Sequence, residues 1–345
     1  VKHVSAASPL QGRRLPRPTR DALRVGPGAL AAAIGRLPAG FTVVTQPGPL
    51  AALPAGLLDP AGLLVHATTL ARGDLESLAS HVPSDAPVLG IGGGVVMDTA
   101  KWLAHRRAVP LVLAPSIISV DACVTNTVAV RDDGGVVYEG FVVPAEVVLD
   151  TEVIRAAPPA LNRAGLGDVL SIHTALWDWQ RAATYDPRTA SAALAVLTEV
   201  LDTVDDLRDV TDTAIATLVG GFADINDLTV ACGHAQMEEG SEHYLAYCLE
   251  ARTGRGFVHG ELVTLGVVLM SRLQDNDPDL ALAAAVSAGV DWQPAHLGLT
   301  RDDLTGALAA LPEFVTAGGY ARSVIDLRPE RLRDPAALLS GLEFA

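Results

Sequence analysis

Short apolar runs alternate with helix-spaced stretches through the first half of the chain. Residues 41–45, 62–68, 87–91 and 111–114 each have the length and apolar content of a buried strand, and the first closes on the turn signal Gln46-Pro47-Gly48. Residues 95–106, between the third and fourth runs, place apolar side chains at helical spacing. Buried strands separated by helices predict a parallel sheet covered on both faces. Residues 127–131 and 136–143, joined by Asp132-Asp133-Gly134-Gly135, predict a β-hairpin, and residues 147–150 a last strand.

The texture changes near residue 155. From Pro158-Pro159 onward no segment reads as a strand, whereas residues 190–207, 211–224, 242–253, 259–274 and 278–288 carry helix-like apolar spacing. A chain of 345 residues also exceeds what one core of ordinary size holds. Two domains follow: an α/β domain over 1–155 and an all-helical one over 156–345.

Composition changes this picture mainly by exclusion. Hydrophobic residues at 49% exclude disorder, and aromatics at 4% suit helix packing and buried parallel strands better than an all-β sandwich. A net charge of −15 would repel a phosphate backbone or an anionic lipid surface, so a small-molecule ligand is expected rather than nucleic acid or membrane. An anionic ligand would need a local pocket that opposes this field. Cys123, Cys232 and Cys248 are odd in number and show no CxxC spacing, which points to thiols in a reducing cytoplasm. Gly, Pro or charge interrupts every apolar run before transmembrane length, and residues 1–20 lack the apolar core of a secretory signal.

The segment Gly90-Ile91-Gly92-Gly93-Gly94-Val95-Val96-Met97-Asp98-Thr99-Ala100-Lys101 joins a predicted strand to a predicted helix. Gly92, Gly93 and Gly94 let the backbone approach an anion closely, and the helix start offers free amides and a positive dipole. That is the logic of pyrophosphate binding, without the GxGxxG spacing. The plainer alternative is a tight turn that needs glycine for packing alone. Asp98 and Lys101, one helical turn apart, read in isolation as a solvated ion pair. Farther on, Asp168, His243 and His259 each stand near glycine at the start of a predicted helix. One carboxylate and two imidazoles would leave positions open on a divalent metal for a substrate oxygen, as a catalytic site needs. The two histidines are 16 residues apart, a spacing that also allows two unconnected side chains.

In order and approximate spacing these residues resemble the glycerol-1-phosphate dehydrogenase family, within the larger group of iron-containing alcohol dehydrogenases and dehydroquinate synthases. The resemblance covers roughly residues 21–275 and is carried by GGGVVMDTAK (92–101), PSIISVDA (115–122), APPALNRAGLGD (157–168), GSEH (240–243) and HGE (259–261). It implies the dehydroquinate synthase-like fold: a Rossmann-like parallel-sheet domain, then a helical metal-binding domain. It implies that Gly92, Gly93, Gly94 and Asp98 hold NAD or NADP with Lys101 close by. Ser116, Ser119 and Asp121 would lie near the nicotinamide and substrate, in a cleft between the domains. Asp168, His243 and His259 would bind the metal, zinc first, with iron or nickel as alternatives. The implied reaction is hydride transfer between the cofactor and a small polyol or polyol phosphate and its ketone. The proton would travel through Asp121, Tyr247 or water. A homo-oligomer, a dimer in the simplest case, is expected.

The chain departs from that pattern in places that bear on the substrate. Relatives commonly carry a second histidine one turn after the GSEH histidine. Here that position is Tyr247, and a phenol with an ordinary pKa of about 10 is a poorer proton shuttle near neutrality. The glycerol-phosphate pattern has Arg-Pro shortly before GSEH, where this chain has Gln236-Met237-Glu238-Glu239. Amides and carboxylates in place of a guanidinium disfavour a phosphate docked in the same way. Dehydroquinate synthase-type cyclases carry Glu where this chain has Asp168, and lysines where it has Ser171 and Thr125-Asn126-Thr127. The resemblance therefore implies a dehydrogenase ahead of a sugar-phosphate cyclase, with a non-catalytic binding protein of the same fold as the third alternative.

Overall fold

The structure, a computed structural model, describes residues 9–132 and 135–345. The chain forms two compact units. The first holds the described chain through Asn162 together with Val210–Gly233; the second holds Arg163–Asp209 and His234–Ala345.

The strands of the first unit are β1 (Leu23–Val25), β2 (Thr42–Thr45), β3 (Leu63–His66), β4 (Val88–Gly92), β5 (Leu111–Pro115), β6 (Val128–Asp132), β7 (Gly135–Glu139) and β8 (Glu146–Leu149). Six of them form one sheet in the order β1-β8-β5-β4-β2-β3, with every pairing parallel, while β6 and β7 make a separate antiparallel hairpin. The helices of this part are α1 (Ala29–Ile34), α2 (Pro47–Ala51), α3 (Arg72–His81), α4 (Gly94–Arg107), α5 (Thr151–Ala156) and α6 (Pro159–Arg163). On one sheet face Val43, Leu89, Ile91, Val112, Ala114 and Val148 join Leu30, Ala33 and Ile34 of α1 in a buried core. On the other face Gly90 admits α4, since a Cβ there would come 2.8 Å from the Cβ of Ala100. His105, Arg106 and Arg107 complement the negative end of the α4 dipole.

This winding positions the glycine turn. The chain passes from β2 to β3 on one side, then to β4 and β5 on the other, so its direction reverses between β2 and β4. Ligands of open α/β sheets bind at the carboxyl ends of the strands beside such a reversal. Gly92, Gly93 and Gly94 stand there, at the end of β4, and the Thr45 hydroxyl at the end of β2 donates to the Ile91 carbonyl at 2.8 Å.

Several expectations need correction. Gln46-Pro47-Gly48 is not a free turn but the start of α2, with Pro47 in the first turn, where its missing N–H costs nothing. The second hairpin strand ends at Glu139 because Gly140 turns at a φ of 68°. Asp132 and Gly135 pair within the hairpin, while Asp133 and Gly134 lie outside the described residues. The expected boundary at 155 separates α5 and α6 from the unit they pack in, and it makes no provision for α11 (Asp212–Cys232). That helix is tied to the beginning of the described chain. The Thr19 hydroxyl donates to Asp227 at 2.5 Å, Arg20 pairs with Asp224 at 2.7 Å, and Asn226 Nδ2 donates to Asn126 Oδ1 at 2.8 Å. By length and composition α11 could also cross a membrane, contrary to the reading of the apolar runs. Leu218, Val219, Phe222, Ala223 and Ile225 are all buried, so it is a core helix of the first unit.

The second unit comprises α7 (Leu166–Leu170), α8 (Ile172–Trp179), α9 (Pro187–Leu201), α10 (Val204–Arg208), α12 (Ser241–Thr253), α13 (His259–Gln274), α14 (Pro278–Ala288), α15 (Arg301–Gly318), α16 (Val324–Leu327) and α17 (Pro329–Arg333). Among its described residues there is no strand. The single helix expected over 190–207 is two, because Thr203 leaves the helical conformation. Helix α13 lies at the centre, buried on nearly all sides from Leu262 to Ser271.

Candidate metal centre and cofactor turn

Asp168 lies in α7, His243 in the first turn of α12, and His259 opens α13, all within the second unit. Glycine lets these helices approach. A Cβ on Gly167 would sit 2.1 Å from the Gly260 carbonyl oxygen, and one on Gly266 would sit 2.6 Å from that of Glu242. The first contact carries Asp168 against His259, and the second presses α13 on α12. One donor atom from each of Asp168, His243 and His259 consequently falls within 4.8 Å of the others. His259 Nε2 stands 3.5 Å from Asp168 Oδ1, and the two imidazole centroids are 5.3 Å apart. Ligands bound about 2.0–2.2 Å from one ion stand about 3–4 Å from each other, so small side-chain adjustments would close this set on a divalent metal. The His259 side chain is 31% exposed while Asp168 and His243 are buried, which leaves the cluster open on the His259 side.

The surroundings attract a cation. Burial lowers the proton affinity of His243, but the hydrogen bond to Glu242 and the charges of Glu242, Glu239 and Asp168 outweigh it, and the pKa reaches about 9. Metal uptake would displace that proton. Glu239 is half-buried; burial pushes its carboxyl up, His243 pulls it down, and Glu242 pushes it further up. Glu238 is half-buried too, so neither glutamate points freely into solvent.

Asp178 on α8 accepts from the backbone N–H groups of Ser241 at 2.9 Å and Val324 at 2.7 Å, which fastens the start of α12 and of α16. Burial and the nearby Glu242 push its carboxyl up to about 7, despite those two donors. A folded pKa above the unfolded value means the native state binds the extra proton. The contribution is complete below the unfolded pKa of about 3.9 and is lost as pH rises through about 7. Urea unfolding should therefore show wild type losing about 2 kcal/mol relative to Asp178→Asn between about pH 5 and pH 7. A pH-independent difference would contradict it.

In the first unit, the glycines of the cofactor turn each make room for a neighbour. A Cβ on Gly92 would lie 2.5 Å from Val96, on Gly93 2.8 Å from Ile117, and on Gly94 3.2 Å from Val120. Packing therefore accounts for glycine at these positions, and a side chain at Gly93 would first meet Ile117. At the same turn the start of α4 suits an anion, since Gly93 supplies no side-chain cap for the first amides. Ser116 and Ser119 are buried in the loop after β5, with Ser116 N donating to the Gly92 carbonyl at 2.9 Å. Asn162, fully buried, holds the same loop through Ile118 N at 3.1 Å. Asp121 opens a short 3-10 turn, Asp121–Cys123, beyond it.

Asp98 and Lys101 are not the solvated pair expected from their spacing. Both are buried, with Lys101 Nζ 2.8 Å from Asp98 Oδ1. The ammonium also donates to Thr125 Oγ1 at 3.0 Å and the Thr127 carbonyl at 2.8 Å, and Asp98 accepts from Ala129 N. The pair thus braces α4 against the start of the hairpin. Lys101→Met would leave Asp98 buried without its ion partner and is expected to cost about 3–5 kcal/mol in denaturant unfolding. A loss of cofactor affinity at unchanged stability would show the opposite.

Two substitutions noted in the sequence also find their places. Gln236 Oε1 accepts from the Thr184 hydroxyl, and Met237 is fully buried, so no guanidinium stands at this pair of positions to grip a phosphate. Tyr247 is half-buried beside the ligand cluster, its ring 6.0 Å from His243 and 6.5 Å from His259. Tyr320 stacks on it at 6.3 Å, making an aromatic wall that sequence spacing did not indicate. Glu242, Asp178 and Thr174 were likewise missed as site residues. For Glu242 a signal was present, since it immediately precedes His243.

The profile of the family described as iron-containing alcohol dehydrogenase matches residues 60–158. The chain is 27% identical to glycerol-1-phosphate dehydrogenase [NAD(P)+] of Methanosphaera stadtmanae over 68% of its own length and 69% of the relative's. It is 26% identical to the enzyme of the same description from Thermoplasma acidophilum, over 76% and 72%. In sequence the chain is similar to iron-containing alcohol dehydrogenases and to glycerol-1-phosphate dehydrogenases. Solved structures share the fold. A probable glycerol dehydrogenase from Sinorhizobium meliloti superposes with a TM-score of 0.69 at 22% identity, covering 92% of this chain and 95% of that one. A sulfoacetaldehyde reductase from Bifidobacterium kashiwanohense, solved with NAD+, gives 0.67 at 16% identity, covering 93% and 97%.

Proposed function

We propose that this protein catalyses reversible hydride transfer between a nicotinamide cofactor and a small polyol or its ketone, with an unphosphorylated substrate preferred. Its class is that of a metal-dependent, NAD(P)-linked polyol or polyol-phosphate dehydrogenase. The observation that carries the proposal is the convergence of Asp168, His243 and His259 from three helices onto one small volume. One carboxylate and two imidazoles, open on the His259 side, suit zinc with a position left for substrate, and iron or nickel would use the same donors. When bound, such an ion acts as a Lewis acid on the substrate carbonyl, and the reduced cofactor supplies the hydride.

The chain's own residues do the rest. The free amides at the start of α4, with Gly92, Gly93 and Gly94 giving backbone access, receive the cofactor pyrophosphate. Asp98 and Lys101 hold that helix in place, and Ser116 and Ser119 border the nicotinamide. Tyr247 and Tyr320 form an apolar, hydroxyl-bearing wall beside the ligand cluster that orients a polyol. Asp121, Tyr247 or water carries the proton. The cofactor part falls to the first domain expected from the sequence and the metal part to the second. Cys123, Cys232 and Cys248 form no disulfide among the described residues, which is in keeping with work in a reducing cytoplasm, and sedimentation would test the expected homodimer. The direct test presents phosphorylated and unphosphorylated hydroxyketones to the purified enzyme and follows cofactor absorbance. Absence of turnover across the panel, with cofactor bound, would favour cyclisation or a binding role.

A further inference from the structure

Glu242 is fully buried, one residue before His243 on the first turn of α12. A carboxylate removed from water is costly unless donors meet its oxygens. Here they do. Oε1 accepts from the Gly240 backbone N–H at 2.5 Å and from His243 Nδ1 at 3.0 Å, and Oε2 accepts from the Thr174 hydroxyl at 2.8 Å. Thr174 belongs to α8, and its carbonyl accepts from Gln274 Nε2 of α13 at 3.0 Å. Groups on three helices therefore fix the carboxylate beside His243.

We infer that Glu242 is a positioning residue for His243, which holds the ring in the tautomer that presents Nε2 to a metal, with Thr174 holding Glu242 in turn. A carboxylate facing Nδ1 can only accept, so Nδ1 carries the proton and Nε2 keeps the lone pair. Such partners orient a ligating imidazole and raise its basicity, and their loss lowers metal affinity about 10–100-fold. A gap on this side would leave His243 free to rotate and to exchange its nitrogens. This rests on Asp168, His243 and His259 being the metal ligands.

The test measures Zn²⁺ affinity of the full chain by chelator competition at fixed pH, with thermal unfolding alongside, in wild type, Glu242→Gln and Thr174→Val. Wild type is expected to bind one ion per chain. Glu242→Gln should bind about 10–100-fold more weakly and shift the visible bands of the cobalt-substituted protein. Thr174→Val should show a smaller loss in the same direction. A lowered melting temperature with unchanged affinity and cobalt spectrum would overturn the inference, because a purely structural role predicts that result. Should Glu242→Gln fail to fold, Thr174→Val decides: unchanged affinity in that variant overturns the inference. Wild type without bound zinc would remove the metal assignment and this inference with it, whereas unchanged variants beside a zinc-loaded wild type would remove only this inference.

Discussion

His259→Ala is expected to purify without bound metal and to lose at least about 10³-fold in kcat/KM while keeping its helical fold. Its position gives the reason. The ring is part-exposed at the start of α13, so removing it opens no core cavity and costs little stability. The ion, however, would lose one of three ligands and the one on the open side. Lewis-acid stabilisation is worth several kcal/mol, and about 1.4 kcal/mol is tenfold in rate, which sets the expected loss. Metal analysis of both proteins, with circular dichroism as the control for folding, checks the expectation. Equal metal content in wild type and variant would sink the assignment of this ligand set.

Much of the architecture was legible because its signals are local. Helix α14 begins with Asp277 capping and Pro278 in the first turn and ends at Gly289 in the left-handed region, so its bounds were readable from residue types. Helix α13 was read over its full length from apolar spacing alone. Helix α15 went unread even though it has a Thr300–Asp303 capping box, since Pro312 in its interior breaks the expected pattern. Strand β1 has three residues at the sheet edge, too short to show a period. The pairing of α11 with the start of the chain depends on contacts over some 200 residues, which no local window contains.

The site divides in the same way. Asp168, His243 and His259 each have glycine nearby, but it was the family resemblance that joined them as one ligand set; the structure shows why glycine is there, since Gly167 and Gly260 meet backbone to backbone. The Asp98–Lys101 spacing showed the pair but not its burial, which is set by the hairpin folding over α4. Asp178 and Thr174 lie some 65 residues before the α12 start they hold, so only the fold connects them to it.

Dihydroxyacetone phosphate is expected to be a poor substrate, with kcat/KM below about 10⁴ M⁻¹s⁻¹, and an unphosphorylated hydroxyketone at least about 100-fold better. The guanidinium that would pair with a phosphate dianion shortly before GSEH is missing here, and Arg255 is engaged elsewhere. Gln236 is bound to Thr184, and Met237 is buried. Arg255 gives its guanidinium to the carbonyls of Gly298 at 2.8 Å and Leu297 at 2.7 Å, and it stacks over Phe257. What stands within electrostatic reach of His243 is another carboxylate, Glu239. A bound divalent ion would favour its charged form, and two like charges about 4 Å apart repel by about 1–4 kcal/mol between water and a partly buried setting. A polyol meets no such penalty and can donate hydroxyls to the same carboxylate. Glu239→Gln is accordingly expected to raise kcat/KM for dihydroxyacetone phosphate by about tenfold, since removing one repulsion of about 1.4 kcal/mol does that, while leaving or lowering the value for the unphosphorylated ketone. Wild-type turnover of dihydroxyacetone phosphate between about 10⁴ and 10⁸ M⁻¹s⁻¹ would show that another base grips the phosphate and that Glu239 does not govern substrate choice.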